Sequence, residues 1–317
     1  MPKKESKKEL LSVIVNCYNE EETIEIFYEK IMSIIKKLPL DYELIFIDDC
    51  SKDNTLSIIK NLNKIDSNVK YISTSRNFGK ESGLYAGLEK AKGDYIVSID
   101  VDLQDPPELL TDMYNAIKNE GYDCIATRSV TRNGYSILRK IFTATYYKIL
   151  KKLSSLEMRE GIRDFRMITK RVKDVILSMK EYNRYSRYLY AYAGFKTKWI
   201  EFPNQERVAG KTKWSFKRLF CVAVDAFLSS SVKPLYIPVF IGLISFIASI
   251  ILSIVLIINS CCNNFSHLLL LYLIITLLFS MLSFMIGIGC IYISRIYSEV
   301  LNRPIYITRE TEESEEK

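Results

Sequence analysis

Residues 94–108 read DYIVSIDVDLQDPPE, a short apolar run followed by a cluster of acids. The apolar run is typical of a strand that is buried on both faces of a parallel sheet. It ends at Asp100, and acidic and polar residues then continue as far as Glu108. Because ligands of open α/β sheets bind beyond the carboxyl ends of the strands, this stretch joins a core strand to a candidate functional site.

The same alternation of short apolar runs and helical patterns extends to both sides of this stretch. Strands that alternate with helices of about ten to fifteen residues indicate βαβ units and a mostly parallel sheet. The predicted strands are 11–17, 43–48, 69–73, 94–100 and 123–127, and the predicted helices are 21–37, 53–63, 80–92 and 106–120. The sequence therefore predicts an α/β fold with a Rossmann-like, mostly parallel sheet.

Polar and acidic residues stand at the carboxyl ends of four of these predicted strands. The four groups are Tyr18-Asn19-Glu20-Glu21, Asp48-Asp49-Cys50-Ser51, Ser75-Arg76-Asn77-Phe78-Gly79-Lys80 and Asp100 to Glu108. Aspartate favours turns, so one such group alone would carry little meaning. The carboxyl ends of parallel strands lie on one edge of a sheet, so four groups in succession indicate a binding site.

Asp100 and Asp102 are the candidate metal ligands. In an extended segment, side chains two residues apart point to the same side. Two carboxylates on one side suit Mg²⁺ or Mn²⁺, and such an ion typically also takes substrate phosphates as ligands. Gln104 would add a neutral oxygen if the chain stays extended. The alternative is that these residues are turn acids and a helix cap before Pro106 and Pro107.

The composition excludes several classes of catalytic site. The chain has 317 residues but a single histidine, His267, which rules out a Ser-His-Asp or Cys-His nucleophile and a zinc site built on several histidines. The seven cysteines form no C-x-x-C pair, and we interpret them as reduced thiols of a cytosolic body.

A long uncharged segment follows this body. No Asp, Glu, Lys or Arg occurs from Pro234 to Ser294, whereas the residues before it carry a net charge of +9 and those after it −2. The apolar stretches 235–258 and 268–293 are each long enough to cross a hydrocarbon core of ~30 Å. They predict two transmembrane helices. The alternative, a buried helical pair of a soluble protein, would show some charge at its rim.

Lysine and arginine flank this segment on both outer sides and are absent from its linker. The positive-inside rule then places the body and both termini in the cytoplasm, at a cell membrane. Residues 215–233 mix apolar and charged positions at helical spacing, which suits either an amphipathic helix in the headgroup layer or a core-packed helix. The predicted parts are a disordered leader (1–10), a catalytic body (11–214), the amphipathic helix (215–233), the two spans (234–294) and a cytoplasmic tail (295–317).

The four strand-end groups stand in the order and spacing of glycosyltransferase family 2. More narrowly, the chain resembles the polyprenyl-phosphate glycosyltransferases, which include bactoprenol glucosyltransferases and dolichol-phosphate mannose synthases. The resemblance continues through Asp164-Phe165-Arg166 and Arg207-x-x-Gly210-x-Thr212-Lys213-Trp214 and ends in two membrane spans. It implies a glycosyltransferase-A fold, a nucleotide-sugar donor, Mg²⁺ or Mn²⁺, and a polyprenyl phosphate acceptor.

Two positions depart from the pattern of that family. Asn16 stands where proline is usual, and Cys50 stands where glycine is usual in the Asp-Asp-Gly-Ser turn. If that turn needs a positive φ, Cys50 is strained where glycine would not be. The Gln-x-x-Arg-Trp signature of processive polysaccharide synthases is absent.

The resemblance and the chemistry of the side chains together suggest a role for each candidate. Carboxylates accept hydrogen bonds from a base and a ribose, and the planar fork of arginine suits phosphate oxygens. The expected metal ligands are Asp100, Asp102 and Gln104, and the expected catalytic residues are Asp102 and Asp164. Donor contacts are expected at Tyr18, Asn19, Glu20, Asp48, Asp49, Arg76, Lys80 and Asp100. Acceptor-phosphate contacts are expected at Arg128, Arg139, Arg207, Lys211 and Lys213.

Several of these roles have a plainer alternative. Lys80 would otherwise be a solvated lysine at the start of a helix. Asp164 would orient the acceptor or act as a base, or else form an ion pair with Arg163 or Arg166. The basic residues before the spans would otherwise form a belt attracted to anionic lipid.

The sequence thus predicts a membrane-bound, inverting hexosyltransferase that moves glucose from UDP-glucose to a polyprenyl phosphate. Other sugar nucleotides such as GDP-mannose are the first alternative. A processive polysaccharide synthase and a membrane-anchored, non-catalytic scaffold that binds nucleotide sugars are the others. No nucleic-acid partner is expected, and the formation of a homo-oligomer is left open.

Overall fold

The computed structural model describes residues 8–130, 161–203, 251 and 267–314. The strands are β1 Leu10–Cys17, β2 Asp41–Asp48, β3 Val69–Thr74, β4 Tyr95–Asp100, β5 Cys124–Ser129, β6 Ile162–Thr169, β7 Thr197–Phe202 and β8 Thr308–Thr311. The helices are α1 Ile24–Ile35, α2 Thr55–Ile65, α3 Lys80–Lys90, α4 Leu109–Glu120, α5 Lys170–Ser178, α6 Ser186–Ala193 and α7 His267–Val300.

The described strands form one sheet in the order β7-β5-β6-β4-β1-β2-β3-β8. The pairs β1–β2, β1–β4, β2–β3 and β5–β7 are parallel, and the pairs that β6 and β8 make are antiparallel. The predicted α/β fold with a mostly parallel sheet is therefore confirmed. Each predicted strand and helix up to residue 127 has a counterpart in the structure.

Both faces of this sheet are buried. Alternate residues of a strand point to opposite faces, so Val13 and Val15 belong to one buried cluster and Ile14 to the other. Helices α1, α2 and α4 pack on the side of Val13, where Phe27 meets Phe46 edge-on at 6.4 Å between ring centroids. Helices α3, α5 and α6 contribute to the cluster of Ile14. Each fully buried side chain of this kind contributes about 1.5–3 kcal/mol to the free energy of folding. This packing holds the ends of the strands in fixed positions.

The topological switch point of the sheet lies between β1 and β4. The chain runs from β1 outward to β2 and β3 and then returns to place β4 on the other side of β1. In register, Asn16 pairs with Asp100 and Cys17 pairs with Asp48. Ligands of open α/β sheets bind in the crevice at such a point. The predicted groups at the ends of β1, β2 and β4 therefore lie where the topology places a binding crevice.

The segment that follows α7 returns to the sheet. Strand β8 pairs antiparallel with the edge strand β3, and residues 304–314 belong to the same compact unit as the rest of the sheet. The sequence predicts only a cytoplasmic tail over 295–317. The strand covers the open backbone groups of β3, which would otherwise form an exposed edge.

Helix α7 lies in the second compact unit. Its residues Leu277–Val300 have a mean hydropathy of 2.0, and by length and composition this helix could cross a membrane. The predicted second span ends at residue 293, whereas α7 continues to Val300. The predicted first span (235–258) and the amphipathic helix (215–233) lie outside the described residues.

Glu9 and Leu10 belong to the body, although the sequence predicts them as part of a disordered leader. Leu10 is the first residue of β1. Glu9 accepts hydrogen bonds from the Lys118 ammonium at 2.7 Å and from the Tyr95 hydroxyl at 3.1 Å. The predicted boundary at residue 10 is therefore wrong for these two residues.

Candidate active site

The loops that follow β1 and β2 are bonded to each other. Asn19 donates its backbone N–H to Ser51 Oγ at 2.9 Å, and its side-chain Oδ1 accepts the N–H of Lys52 at 2.8 Å. Glu20 donates its backbone N–H to Thr55 Oγ1 at 2.7 Å. These bonds hold the first two strand-end groups as one unit at the edge of the sheet.

The turn after β2 has the strained backbone that its sequence predicts. Cys50 has a φ of 58°, in the left-handed region that glycine adopts without penalty. We expect Cys50→Gly to be about 0.5–1 kcal/mol more stable than Cys50→Ala, because both variants lose the thiol and only glycine relieves the strain. Thermal unfolding of the two purified variants checks this, and equal midpoints would contradict a strained turn.

Asp48 and Asp49 are buried and bonded to protein groups. Asp48 is fully buried and accepts the Ser51 N–H at 3.1 Å and the Ser73 hydroxyl at 2.7 Å. Asp49 accepts the N–H groups of Phe78 and Gly79, both at 2.8 Å. In this structure the two carboxylates shape the loops around the crevice. Their predicted contacts with the base and ribose stay a prediction.

The acidic stretch after β4 does not stay extended. Strand β4 ends at Asp100, the next residues form a turn, and Leu103 has a φ of 55°. The carboxylate of Asp102 accepts the backbone N–H of Gln104 at 3.1 Å, a turn that aspartate commonly closes. The condition under which Gln104 would lie on the same side as the two aspartates is therefore not met.

Two carboxylates, Asp100 and Asp102, remain as candidate metal ligands. Within residues 8–130, 161–203 and 267–314 no three acidic, cysteine or histidine side chains come together to hold a metal. A divalent ion such as Mg²⁺ is usually bound by one or two carboxylates, with water and substrate phosphates as its other ligands. Asp102 is half-buried and lies in the turn that follows Asp100. The oxygens of Asp100 and Asp102 are of the type that such an ion binds. Because the turn removes the extended geometry that would place them on one side, their joint metal site stays a prediction.

Helix α3 lies close against β1 because two of its residues are glycines. A Cβ at Gly87 would lie 2.3 Å from a methyl carbon of Ile14, and one at Gly83 would lie 2.6 Å from Asn16 Oδ1. Larger residues at these positions would push the helix away from the strand. The close packing fixes the start of α3, which carries Lys80.

Lys80 joins two carboxylates of the crevice. Its Nζ lies 2.7 Å from Asp100 Oδ1 and 2.7 Å from Asp164 Oδ2, and its side chain is 38% exposed. Burial by itself would lower the pKa of Lys80, but the two carboxylates outweigh this effect and raise it. Lys80 is therefore a paired, charged residue of the site and not a solvated lysine.

Asp164, on β6, lies between two cations. Arg187 donates its Nε–H to Asp164 Oδ1 at 2.7 Å, and Lys80 donates to the other oxygen. Burial would raise the pKa of Asp164, but Arg187 and Lys80 hold it well below its ordinary value. Asp164 is thus an ionised hydrogen-bond acceptor near neutral pH.

The alternative partners predicted for Asp164 are wrong. Arg163 instead donates to Asp105 Oδ1 at 2.7 Å. The guanidinium of Arg166 lies over the Tyr190 ring at 4.2 Å. The predicted ion pair exists, but Lys80 and Arg187 supply its cations.

Of the other predicted phosphate-binding residues, the structure describes only Arg76 and Arg128. Arg76 lies over the Phe78 ring at 4.2 Å from the centroid. Arg128, a predicted acceptor contact, donates its Nε–H to Glu201 Oε1 at 2.8 Å across the β5–β7 pair. The remaining predicted acceptor contacts, Arg139, Arg207, Lys211 and Lys213, lie outside the described residues.

Residues 12–177 match the protein family described as Glycosyl transferase family 2. The chain belongs to this family. The glycosyltransferase is 36% identical to the putative glycosyltransferase CsbB of Bacillus subtilis (strain 168), over 96% of this chain and 92% of that protein. It is 34% identical to the SfII prophage-derived bactoprenol glucosyl transferase of Shigella flexneri, over 95% of this chain and 98% of that protein.

Solved structures show a more distant likeness to the glycosyltransferase. Mannosyl-3-phosphoglycerate synthase from Rubrobacter xylanophilus is 15% identical, with a TM-score of 0.46 over 68% of this chain and 71% of that chain. Glucosyl-3-phosphoglycerate synthase from Mycobacterium tuberculosis, in complex with Mn²⁺, UDP and glucosyl-3-phosphoglycerate, is 20% identical, with a TM-score of 0.44 over 70% and 80%. Neither score is high enough to transfer a ligand to this chain.

The sequence does not predict the roles of two arginines at the glycosyltransferase site: it gives no indication of Arg187, and it suggests Arg163 only as a partner of Asp164. Arg187 stands on α6 outside every motif, so no local signal points to it. Arg163 neighbours the Asp-Phe-Arg motif, and its partner Asp105 belongs to the acidic stretch. Burial raises the pKa of Asp105 to about 6, although Arg163 opposes this effect. The Arg163–Asp105 pair ties the acidic stretch to β6.

Proposed function

We propose that this glycosyltransferase moves a hexose, with glucose from UDP-glucose as the first choice, onto a polyprenyl phosphate with inversion. The observation that carries the proposal is the cluster in which Lys80 joins Asp100 to the ionised Asp164 at the switch point. The relative named bactoprenol glucosyl transferase, aligned over 95% of this chain, supports the choice of sugar and acceptor.

The donor side of the site consists of the acidic stretch and the first two loops. Asp100 and Asp102 would hold a divalent ion, Mg²⁺ or Mn²⁺. When bound, this ion would polarise the diphosphate leaving group as a Lewis acid. Lys80, which pairs with Asp100, would add a positive charge next to the phosphate oxygens of the donor. The loops after β1 and β2 would receive the nucleoside.

The acceptor side needs little help with deprotonation. A lipid phosphate is already an anion near neutral pH, so its oxygen can attack the anomeric carbon directly. The bond from that carbon to the diphosphate oxygen breaks, and the nucleoside diphosphate leaves with the electron pair. Asp164 would then serve to hold Lys80 and Arg187 in place for the incoming anion, a positioning role.

The position of the enzyme at a membrane belongs to the same proposal. The apolar stretches 235–258 and 268–293 would anchor the chain, with both termini in the cytoplasm. Helix α7 supports the second of these spans by its length and composition. Arg139, Arg207, Lys211 and Lys213 would bind the acceptor phosphate, where bidentate guanidinium contacts are strong.

A direct assay tests the proposal. The full chain in detergent is incubated with polyprenyl phosphate and a panel of sugar nucleotides, and the lipid product is identified by mass spectrometry. A single hexose on the polyprenyl phosphate is the expected product. A growing polysaccharide would indicate a processive synthase instead. Nucleotide binding without any transfer would indicate a scaffold.

Removal of the metal should stop the reaction. EDTA is expected to abolish transfer, and an excess of Mg²⁺ or Mn²⁺ is expected to restore it, because two carboxylates alone would repel the donor diphosphate. Product formation before and after each addition is the measurement. Transfer at the full rate in EDTA, with metal content checked by atomic absorption, would contradict a metal site at Asp100 and Asp102.

A further inference from the structure

The segment 304–314, here termed the C-terminal segment, docks on the edge of the sheet with specific contacts. In the β3–β8 pair, Ile72 stands opposite Thr311 and Ser73 stands opposite Glu310. The N–H of Ser75, beyond the end of β3, donates to the Ile307 carbonyl at 2.9 Å. The segment therefore continues the sheet as far as the loop that carries the third strand-end group.

Side chains from two helices, α2 and α3, hold the same segment. Lys60 on α2 pairs with Glu310 at 2.7 Å, and Lys90 on α3 pairs with Glu312 at 2.8 Å. The ring of Tyr306 meets that of Tyr85 edge-on at 6.4 Å. Ion pairs on both sides of the edge strand, with complementary charges, indicate a built docking site for residues 304–314.

Arg309 links this segment to the turn after β2. Its Nη2 donates to Ser73 Oγ at 2.9 Å and lies 4.0 Å from Asp48 Oδ2. Ser73 Oγ in turn donates to the same carboxylate oxygen at 2.7 Å. Because Asp48 is fully buried, a nearby positive charge offsets part of its desolvation. Its other oxygen accepts the N–H of Ser51, so the contact reaches the turn itself.

We propose that Arg309 is a positioning residue for the donor and that the C-terminal segment is part of the donor half of the site. The inference rests on the proposed function, in which the turn 48–51 receives the nucleoside. This turn already carries the left-handed Cys50, and such backbone persists only where its surroundings hold it firmly. Arg309, acting through Ser73 and Asp48, supplies one of those supports from the far end of the chain.

The test compares Arg309→Gln with a matched control, Lys90→Gln, in the full chain. Both variants remove one cation that docks the C-terminal segment, but Lys90 contacts Glu312 and Glu313 and not Asp48. The measurements are the KM for the donor, the KM for the acceptor, kcat, the thermal midpoint, and the Kd of UDP with Mn²⁺ by calorimetry.

Arg309→Gln is expected to raise the donor KM and the Kd of UDP about tenfold, the size of a lost hydrogen bond to a charged group. We expect kcat and the acceptor KM to stay within about twofold. Arg309→Lys, which keeps the charge, should restore part of the donor affinity. Lys90→Gln should lower the thermal midpoint about as much as Arg309→Gln does, but it should leave the donor KM and the Kd of UDP unchanged.

Two failures are distinguishable. If Arg309→Gln lowers the thermal midpoint as Lys90→Gln does, with the donor KM and the Kd unchanged, the arginine is purely structural and this inference is overturned alone. If the wild-type chain binds none of a panel of nucleoside diphosphates in the calorimeter, the proposed function fails and this inference falls with it. If the wild-type chain prefers another base, the same comparison is made with that nucleotide.

Discussion

Asp102→Asn is expected to lower the rate of sugar transfer by about 10³-fold, because a metal ion contributes several kcal/mol of charge stabilisation to the transition state. The asparagine oxygen is neutral and would hold a divalent ion weakly. The fold should be preserved, since asparagine closes the same turn onto the N–H of Gln104 that aspartate does. The rate with labelled sugar nucleotide and polyprenyl phosphate is the measurement.

The matched control for this variant is Asp112→Asn. Asp112 is an exposed acid in the first turn of α4, so its loss removes one negative charge without touching the crevice. Its activity should equal that of the wild type. Paramagnetic resonance of Mn²⁺ gives a second readout, in which Asp102→Asn should weaken metal binding and Asp112→Asn should not. Full activity and unchanged Mn²⁺ affinity in Asp102→Asn would remove this residue from the metal site.

The sequence was sufficient to predict the half of the sheet that surrounds the switch point. Strands such as Tyr95–Asp100 are continuous apolar runs with a polar stop, and this pattern follows from burial on both faces. The family resemblance implies a role for Asp100 and for Asp164 but no contact between them. Lys80 connects these two carboxylates. The sequence predicts it as a donor contact, but only the three-dimensional structure shows that it pairs with both.

The docking of the C-terminal segment could not be predicted in this way. Strand Thr308–Thr311 has four residues, all polar or charged and two of them exposed, and it lacks the apolar alternation that marks a half-buried strand. Its stability comes from Lys60, Lys90 and the edge of β3, all more than 200 residues away in the sequence. A local pattern carries no information about such partners.

Strand-end acids pose a different problem for prediction. Asp48 and Asp102 both follow the same rule, a carboxylate at the end of a buried strand. The structure shows that Asp48 is fully buried among its own loops, whereas Asp102 is half-buried. Aspartate closes turns and binds cations with the same oxygens. The sequence therefore places such an aspartate at the site, but it does not show whether its carboxylate stabilises a loop or binds a cation.

Asp164→Asn is expected to reduce the kcat of sugar transfer by about 10²–10³-fold and, because Asp164 also holds the donor-side Lys80, to raise the donor KM. Asparagine keeps the size of the side chain but removes the charge that faces Lys80 and Arg187. Two cations without their shared carboxylate would repel each other and lose the geometry in which they meet an acceptor anion. A misplacement of about 1 Å in the reacting geometry can cost about 10²-fold in rate, and loss of a general base costs about 10²–10⁴-fold.

Arg187→Gln distinguishes between the two candidate roles of Asp164, which are to hold the two cations in place or to act as a base. If the carboxylate works by holding the cations, then Arg187→Gln should reproduce most of the loss in kcat, since it breaks the same arrangement from the other side. If Asp164 were a base, Arg187→Gln would retain most of the activity, and the pH profile of kcat would shift upward because the pKa of Asp164 would rise. Arg171→Gln, an exposed arginine that stacks on Phe195, is the control and should behave as wild type. We expect the first outcome, because an acceptor that is already ionised gives a base no proton to remove.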